Sequence, residues 1–348
     1  MKKNEMTSME RVLTTLSHKE PDRVPLFLLA TMHGAKELGM SIKEYFSKGE
    51  NVAEGQIRIN LKYNTDCYYP FFYAPLETEA FGGEVIYTED GPPNSGRPLI
   101  TDIQKINSLT APKVKDSEVL LKVLKSIQIL KKHSKDKIPI IGVVMSPFSL
   151  PVLQLGFEKY LDIMHFRKDL FNHLMKVNQE FCIDWANAQI EAGATAITYF
   201  DPVSSSTIIP RKLYLETGFQ IAVHTIAQIK GSTATHFASG NCLPIADLLP
   251  QTGTAVVAVS TEEDISKVKE AFKNKLTVLG NMNGIEMRRW TPEQTDKIVK
   301  DLIQKAAPGG GFILSDNHGE IPFQVSDEVL FAVSEAVHKY GTYPIIKS

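Results

Sequence analysis

The chain has 348 residues, 43% hydrophobic and 22% charged, with a formal net charge of -2. These are the proportions of a soluble globular protein, and the near-neutral charge excludes the basic face of a nucleic-acid binder or a polybasic membrane anchor. No apolar run reaches the roughly 18 residues of a spanning helix. Met1-Lys2-Lys3-Asn4-Glu5 lacks the apolar region of a signal peptide, and Cys67, Cys182 and Cys242 are too scattered for a disulfide framework. A cytoplasmic location with no membrane or nucleic-acid partner is therefore expected.

In chain order, helical patterns at 8–17 and 42–47 flank a first strand at 24–29, and an aromatic run after Asp66 supplies a second. Segments 82–88 and 98–100 then read as an inserted hairpin after strand two. From residue 135 onward, β-branched runs at 138–144, 196–200, 232–237, 255–259, 276–279 and 311–315 alternate with amphipathic stretches such as 168–191 and 292–306. Strands apolar on both faces suit a parallel sheet covered by helices. Eight of them predict an α/β fold, a (β/α)8 TIM barrel with N-terminal helices, as one domain over 1–348.

Two histidines fall at predicted strand ends: His236 in Thr235-His236-Phe237-Ala238, and His318 within Asp316-Asn317-His318-Gly319-Glu320. In a barrel, the carboxyl ends of strands carry the chemistry, so a metal or acid–base site is expected there. Asp201 follows the fourth strand and points toward the same face, or else shapes its Asp-Pro turn. Glu216 lies on the next helix, where most glutamates are solvated. Asp66 and the aromatic cluster Tyr68, Tyr69, Phe71, Phe72 and Tyr73, with Tyr68 and Phe72 as the candidate contacts, suggest a polar group and flat apolar walls for a substrate, or simply turn and core packing. Asn281 and Asn283 after the seventh strand offer amides for a substrate oxygen, or cap the following helix. Pro308-Gly309-Gly310-Gly311 precedes a strand instead of opening a helix, so nucleotide binding is rejected.

Several of these segments resemble a known family. Met9-Glu10-Arg11-Val12-Leu13 with Glu20-Pro21-Asp22-Arg23-Val24-Pro25, Ser146-Pro147-Phe148-Ser149-Leu150, Asp201-Pro202 followed by Ile209-Pro210, Gly280-Asn281-Met282-Asn283 and the ending 312–322 are similar to the uroporphyrinogen decarboxylase superfamily. The matches run in order across nearly the whole chain, and the superfamily is itself a (β/α)8 barrel. Its decarboxylases place arginines just after the first strand to hold the carboxylates of a tetrapyrrole. Here that place reads Leu28-Leu29-Ala30-Thr31-Met32-His33-Gly34-Ala35, with no arginine, and His33 becomes a candidate substrate contact instead.

The corrinoid-linked methyltransferases of the same superfamily bind zinc through His-x-Cys after the fifth strand and a cysteine after the eighth. This chain keeps His236 but has Ala238 in place of the first cysteine and His318, Asp316 or Glu320 in place of the second. The resemblance thus implies a zinc ion held by His236 with some of Asp201, His318, Glu320, Cys242 and Glu216. His236, His318 and Asp201 would be the catalytic residues. The implied activity is transfer of a methyl group between a small methylated substrate, such as a methoxylated aromatic, and the cobalt of a corrinoid carried on a partner protein. Harder, nitrogen- and oxygen-ligated zinc favours demethylation of an ether over methylation of a thiol. The alternatives are tetrapyrrole decarboxylation, with Asp66 and His318 as the polar groups, and a non-catalytic corrinoid-binding barrel. A homodimer is compatible with the sequence but not set by it.

Overall fold

The computed structural model describes residues 5–345. Its centre is a seven-stranded, all-parallel sheet built from β1 (Leu26–Phe27), β4 (Ile141–Met145), β5 (Ala196–Phe200), β6 (Ser232–His236), β7 (Val256–Ala258), β8 (Thr277–Asn283) and β9 (Phe312–Asn317). The spatial order is β1-β9-β8-β7-β6-β5-β4. The expected second strand forms no ladder. Its segment instead spans the gap between the sheet edges: the Asp66 N–H donates to Leu26 O at 2.8 Å, and Tyr68 exchanges bonds with Pro139 O and the Ile141 N–H at 2.9 Å each. The sheet therefore curls around, with a single bridge, Tyr68 to Ile140, where an eighth strand was expected. Pro70 and the crowded aromatics after it do not continue the pairing, as a missing N–H would predict.

A short antiparallel ribbon pairs β2 (Val85–Ile86) with β3 (Asn94–Ser95). The second arm is thus 94–95, and segment 98–100 instead runs to Gln154, whose carbonyl accepts the Ile100 N–H. The helix Ser8–Leu16 starts at a capping box in which Thr7 and Glu10 satisfy each other's backbone N–H groups. The helix Pro292–Ala306 uses the same device through Thr291 and Gln294. Among the described residues, no helix is long and apolar enough to cross a membrane.

Strand periodicity sorts the side chains. On β9, Phe312 and Leu314 pack outward against the helical layer while Ile313 points inward. Ile313 joins Phe27, Cys67, Tyr69, Ile141, Val256, Ala258 and Leu279 inside the barrel, with Val12 of the first helix packed against them. That helix is fixed by a buried charge network. The Asp66 carboxylate accepts from Arg11 and Arg23 at 2.6 Å, from the Ser8 hydroxyl at 2.9 Å and from the Leu26 N–H at 2.8 Å. Arg11 also binds Asp22. Asp66 thus sits at the amino end of β1, opposite the face where a substrate contact was expected.

The glycine run before β9 is also structural. Gly309, Gly310 and Gly311 take φ of 81°, 75° and 63°, a left-handed path that glycine adopts without penalty. Its carbonyls accept from Lys269, so the run presents oxygens to a cation and no nest of N–H groups to a phosphate.

Candidate functional site

The same alternation turns Val143 and Met145, Thr198 and Phe200, His236, Leu279 and Ser315 toward the barrel axis. There they line a cavity of about 320 Å³ at the carboxyl ends of the strands. Tyr69 and Phe71 from the bridging segment complete an apolar, aromatic wall. Among the described residues no lysine or arginine lines this cavity, yet three carboxyl groups do: Glu77, Asp316 and Glu320.

His236 ends β6, paired with Phe200 and Ala258, and its ring lies 5.1 Å from that of Phe200. Beyond it the chain turns through Ala238 at φ 51°, which brings the Ala238 N–H onto His236 Nδ1 at 2.9 Å. A nitrogen that accepts an N–H carries no proton, so the neutral ring has its hydrogen on Nε2. Burial, with the neighbouring His318 ring, holds the imidazole pKa down to about 4, so this tautomer persists at neutral pH. His236 therefore offers the cavity a hydrogen-bond donor.

His318 stands at φ 94° in the loop after β9. Its Nδ1 meets the Ser239 hydroxyl and its Nε2 the Thr261 hydroxyl at 3.0 Å, so both ring nitrogens are engaged. Burial lowers its pKa as well.

The three carboxyl groups share one construction. Each is anchored through one oxygen to a main-chain N–H of a neighbouring stave: Asp316 to Leu29 at 2.9 Å, Glu320 to Met32, and Glu77 to Met145 at 3.1 Å. Asp316 is 2% exposed and Glu77 5%. The second oxygen of Glu320 is buried without a hydrogen-bond partner. With no cation beside them, burial pushes Glu77 and Asp316 up to about 7, and burial followed by the charge of Asp316 pushes Glu320 to about 8.

Of the residues singled out from sequence, His236, His318, Asp316 and Glu320 meet at this cavity and the others do not. Asp201 is buried behind β5, where it accepts from the hydroxyls of Ser146 at 2.6 Å and Ser149 at 2.7 Å. Cys242 is buried against Glu263, its Sγ 3.3 Å from Oε2, which with burial raises the thiol pKa. Glu216 is exposed at the end of helix Arg211–Glu216. Asn281 ties β8 to the carbonyls of Ser260 and Glu263, and Asn283 caps the turn at Glu286. Tyr68 reaches His133, Phe72 packs on Phe46, and buried His33 donates from Nε2 to Val325 O. Tyr69 and Phe71 provide the aromatic wall expected of Tyr68 and Phe72. A one-residue shift in an extended segment reverses the face, and the register was not legible.

The side chains present do not fit the expected zinc ion. Among the described residues no three His, Cys, Asp or Glu groups converge as a ligand set. Asp201, Cys242 and Glu216 are occupied or remote, and the His236 nitrogen open to the cavity bears a proton. Glu77 is the cavity carboxyl to which sequence reasoning gave no role, whereas Asp316 was named there only as a substitute for a cysteine ligand. Glu77 lies on the short helix Leu76–Ala80 that follows the bridging segment, and its place after the second stave is the signal that could have selected it.

A model of the family "Uroporphyrinogen decarboxylase (URO-D)" matches residues 7–340. A uroporphyrinogen decarboxylase of Xylella fastidiosa is 24% identical, over 96% of this chain and 99% of its own length. Another, of Nitrosospira multiformis, is 23% identical over 75% of this chain and 72% of its own. Among solved structures, a methyltransferase from Methanosarcina mazei superposes with a TM-score of 0.86 at 19% identity, covering 97% of this chain and 99% of that one. A B12-independent methionine synthase from Shewanella gives 0.55 at 13% identity, over 92% and 95%. At such identities the solved structures speak for the fold alone, whereas the family match spans nearly the whole chain. The chain belongs to the uroporphyrinogen decarboxylase (URO-D) family.

Proposed function

We propose that this protein is a methyltransferase that takes a methyl group from a small substrate held in the barrel cavity. The acceptor is the cobalt of a corrinoid carried by a partner protein at the cavity mouth. The observation that carries the reading is the polarity of the cavity: aromatic and aliphatic walls, three buried carboxyl groups, and no lysine or arginine among its lining residues. A tetrapyrrole bearing many carboxylates would meet like charge and no cationic partner, a desolvation cost nothing here offsets. A compact methylated molecule fits a space of about 320 Å³ and presents apolar methyl groups to Tyr69, Phe71 and Phe200.

Within this reading, His236 keeps its proton and donates a hydrogen bond from Nε2–H to the substrate or the departing heteroatom, and the Ala238 N–H fixes that tautomer. His318, bound by Ser239 and Thr261, holds the loop that carries Glu320 against Met32. No step is assigned to zinc.

The test is a transfer assay with substrates carrying isotopically labelled methyl groups, a reduced corrinoid as acceptor, and uroporphyrinogen as competitor in a parallel decarboxylation assay. Label moving to the corrinoid supports the proposal. Release of carbon dioxide from uroporphyrinogen without any label transfer refutes it.

A further inference from the structure

We propose that the cavity is shaped for an organic cation, a small methylated ammonium or sulfonium group seated among Asp316, Glu320 and Glu77 and against the rings of Tyr69, Phe71 and Phe200. The identification of that cation as the methyl donor rests on the function proposed above; the binding site itself does not.

The first argument is charge balance. Asp316 and Glu77 are more than nine-tenths buried, and Glu320 leaves one buried oxygen without a partner. Buried carboxylates elsewhere in this chain are matched: Asp66 has two guanidinium groups within 2.6 Å, and Asp201 two hydroxyls. Those at the cavity have a main-chain N–H of a neighbouring segment each, with the Trp185 indole beside Glu77, and no cationic partner. An acidic cavity without a resident cation is completed by a ligand that brings one.

The second argument is the shape of the arrangement. Asp316 and Glu320 are anchored beside β1, Glu77 beside β4 and His236 on β6, so the polar groups ring the cavity from separate staves. They do not converge as a point ion requires. A dispersed ring suits a cation whose charge is spread over several methyl groups. Aromatic faces recognise such a charge through their quadrupoles while burying the methyls.

The chemistry is self-consistent. A methyl on a cationic nitrogen or sulfur leaves without a proton or a Lewis acid. The C–N or C–S bond breaks with its electron pair passing to the heteroatom, which departs neutral. The low-valent cobalt of the corrinoid acceptor supplies the pair for the new bond to carbon.

The titratable groups facing the cavity are Asp316, Glu320, Glu77, His236, His318 and Tyr69. His236 is already neutral, and burial raises the Tyr69 phenol well above its ordinary range. His318 is lowered from its ordinary value by burial, whereas the three carboxyls are raised to about 7, 7 and 8, so they are the groups that gain charge toward pH 8.5, and a cation binds by displacing their protons.

The test compares choline with its neutral isostere 3,3-dimethylbutanol, by calorimetry on the full-length protein at pH 6 and pH 8.5. Choline should bind at least tenfold more tightly than the isostere at pH 8.5, with the preference falling below about threefold at pH 6. Asp316→Asn and Glu320→Gln, near-isosteric changes that remove charge, should each erase most of it. Should one variant not fold, the other and the pH series still decide. Equal or tighter binding of the neutral isostere at pH 8.5 overturns the proposal. Choline binding without label transfer to a corrinoid would keep the cation site and reject the methyltransferase. Methyl transfer from a neutral ether with no choline binding would do the reverse.

Discussion

Replacing Asp66 by alanine separates a structural clamp from a substrate contact. Asp66 joins Ser8, Arg11, Arg23 and the Leu26 N–H, and both arginines are buried at 3% and 7% exposure. After the substitution Arg11 keeps Asp22, at 2.6 and 2.7 Å, but Arg23 keeps only the Val24 carbonyl at 3.0 Å. Removing one partner of a buried ion pair costs about 3–5 kcal/mol, because the surviving charge stays desolvated. At roughly 2.1 cal/mol/K per residue, 348 residues give an unfolding entropy of about 0.7 kcal/mol/K, so the expected fall in Tm is about 4–7 °C. Differential scanning calorimetry reads this directly. Adding Arg23→Met removes the orphaned charge and should restore at least half of the loss. Ligand affinity should be unchanged in both variants, because the cavity opens at the other end of the strands. A Tm shift below 1 °C, or a loss of affinity at unchanged Tm, would refute the assignment.

Three further outcomes are expected. Gly310→Ala forces a left-handed φ of 75° on alanine and sets its Cβ 2.4 Å from the Lys19 carbonyl oxygen; chemical denaturation should register about 1–3 kcal/mol for the strain alone, with the clash adding to it. His236→Ala should abolish methyl transfer while leaving Tm within a few degrees, since the side chain gives up one hydrogen bond to Ala238; a variant with full turnover would remove His236 from the site. The ligand-free protein should lose stability as pH rises from 6.5 to 8. Glu77, Asp316 and Glu320, raised to about 7, 7 and 8, favour the fold while protonated and oppose it once the fold must hold them ionised. Below pH 6.5, His33 and His236, lowered to about 4, must be protonated in the unfolded chain before the folded one, which pulls stability the other way. A scan of Tm against pH in Asp316→Asn/Glu320→Gln should be flatter above pH 6.5; an unchanged slope would contradict these shifts.

The strands from 138 onward were legible because both faces are apolar and turn residues bound each run, and His236 was legible as the residue that ends such a strand. The second stave was not. Tyr68, Tyr69, Phe71, Phe72 and Tyr73 are all good strand formers, and sequence alone did not show that only Tyr68 pairs. Nor did it show which aromatics face inward. Asp66 misled for a related reason: a carboxylate beside an aromatic run looks like substrate recognition until Arg11 and Arg23, 55 and 43 residues away, are brought onto it. Cys242 looked like a displaced metal ligand, and only the fold puts Glu263 on its sulfur.

The arrangement of the cavity carboxyls, two of which were named from sequence only as metal ligands, escaped it for a deeper reason. What fixes Asp316, Glu320 and Glu77 is the main chain of Leu29, Met32 and Met145, and a backbone N–H is the same whatever residue bears it. The stretch after β1 therefore lacks arginines in sequence, while in the fold it contributes N–H donors that hold acids in place. Anchoring one oxygen of each acid fixes its rotamer at the wall, so the acidic ring exists before any ligand arrives. The resulting site favours positive charge by construction, and that polarity, more than the barrel that carries it, is what selects its substrate.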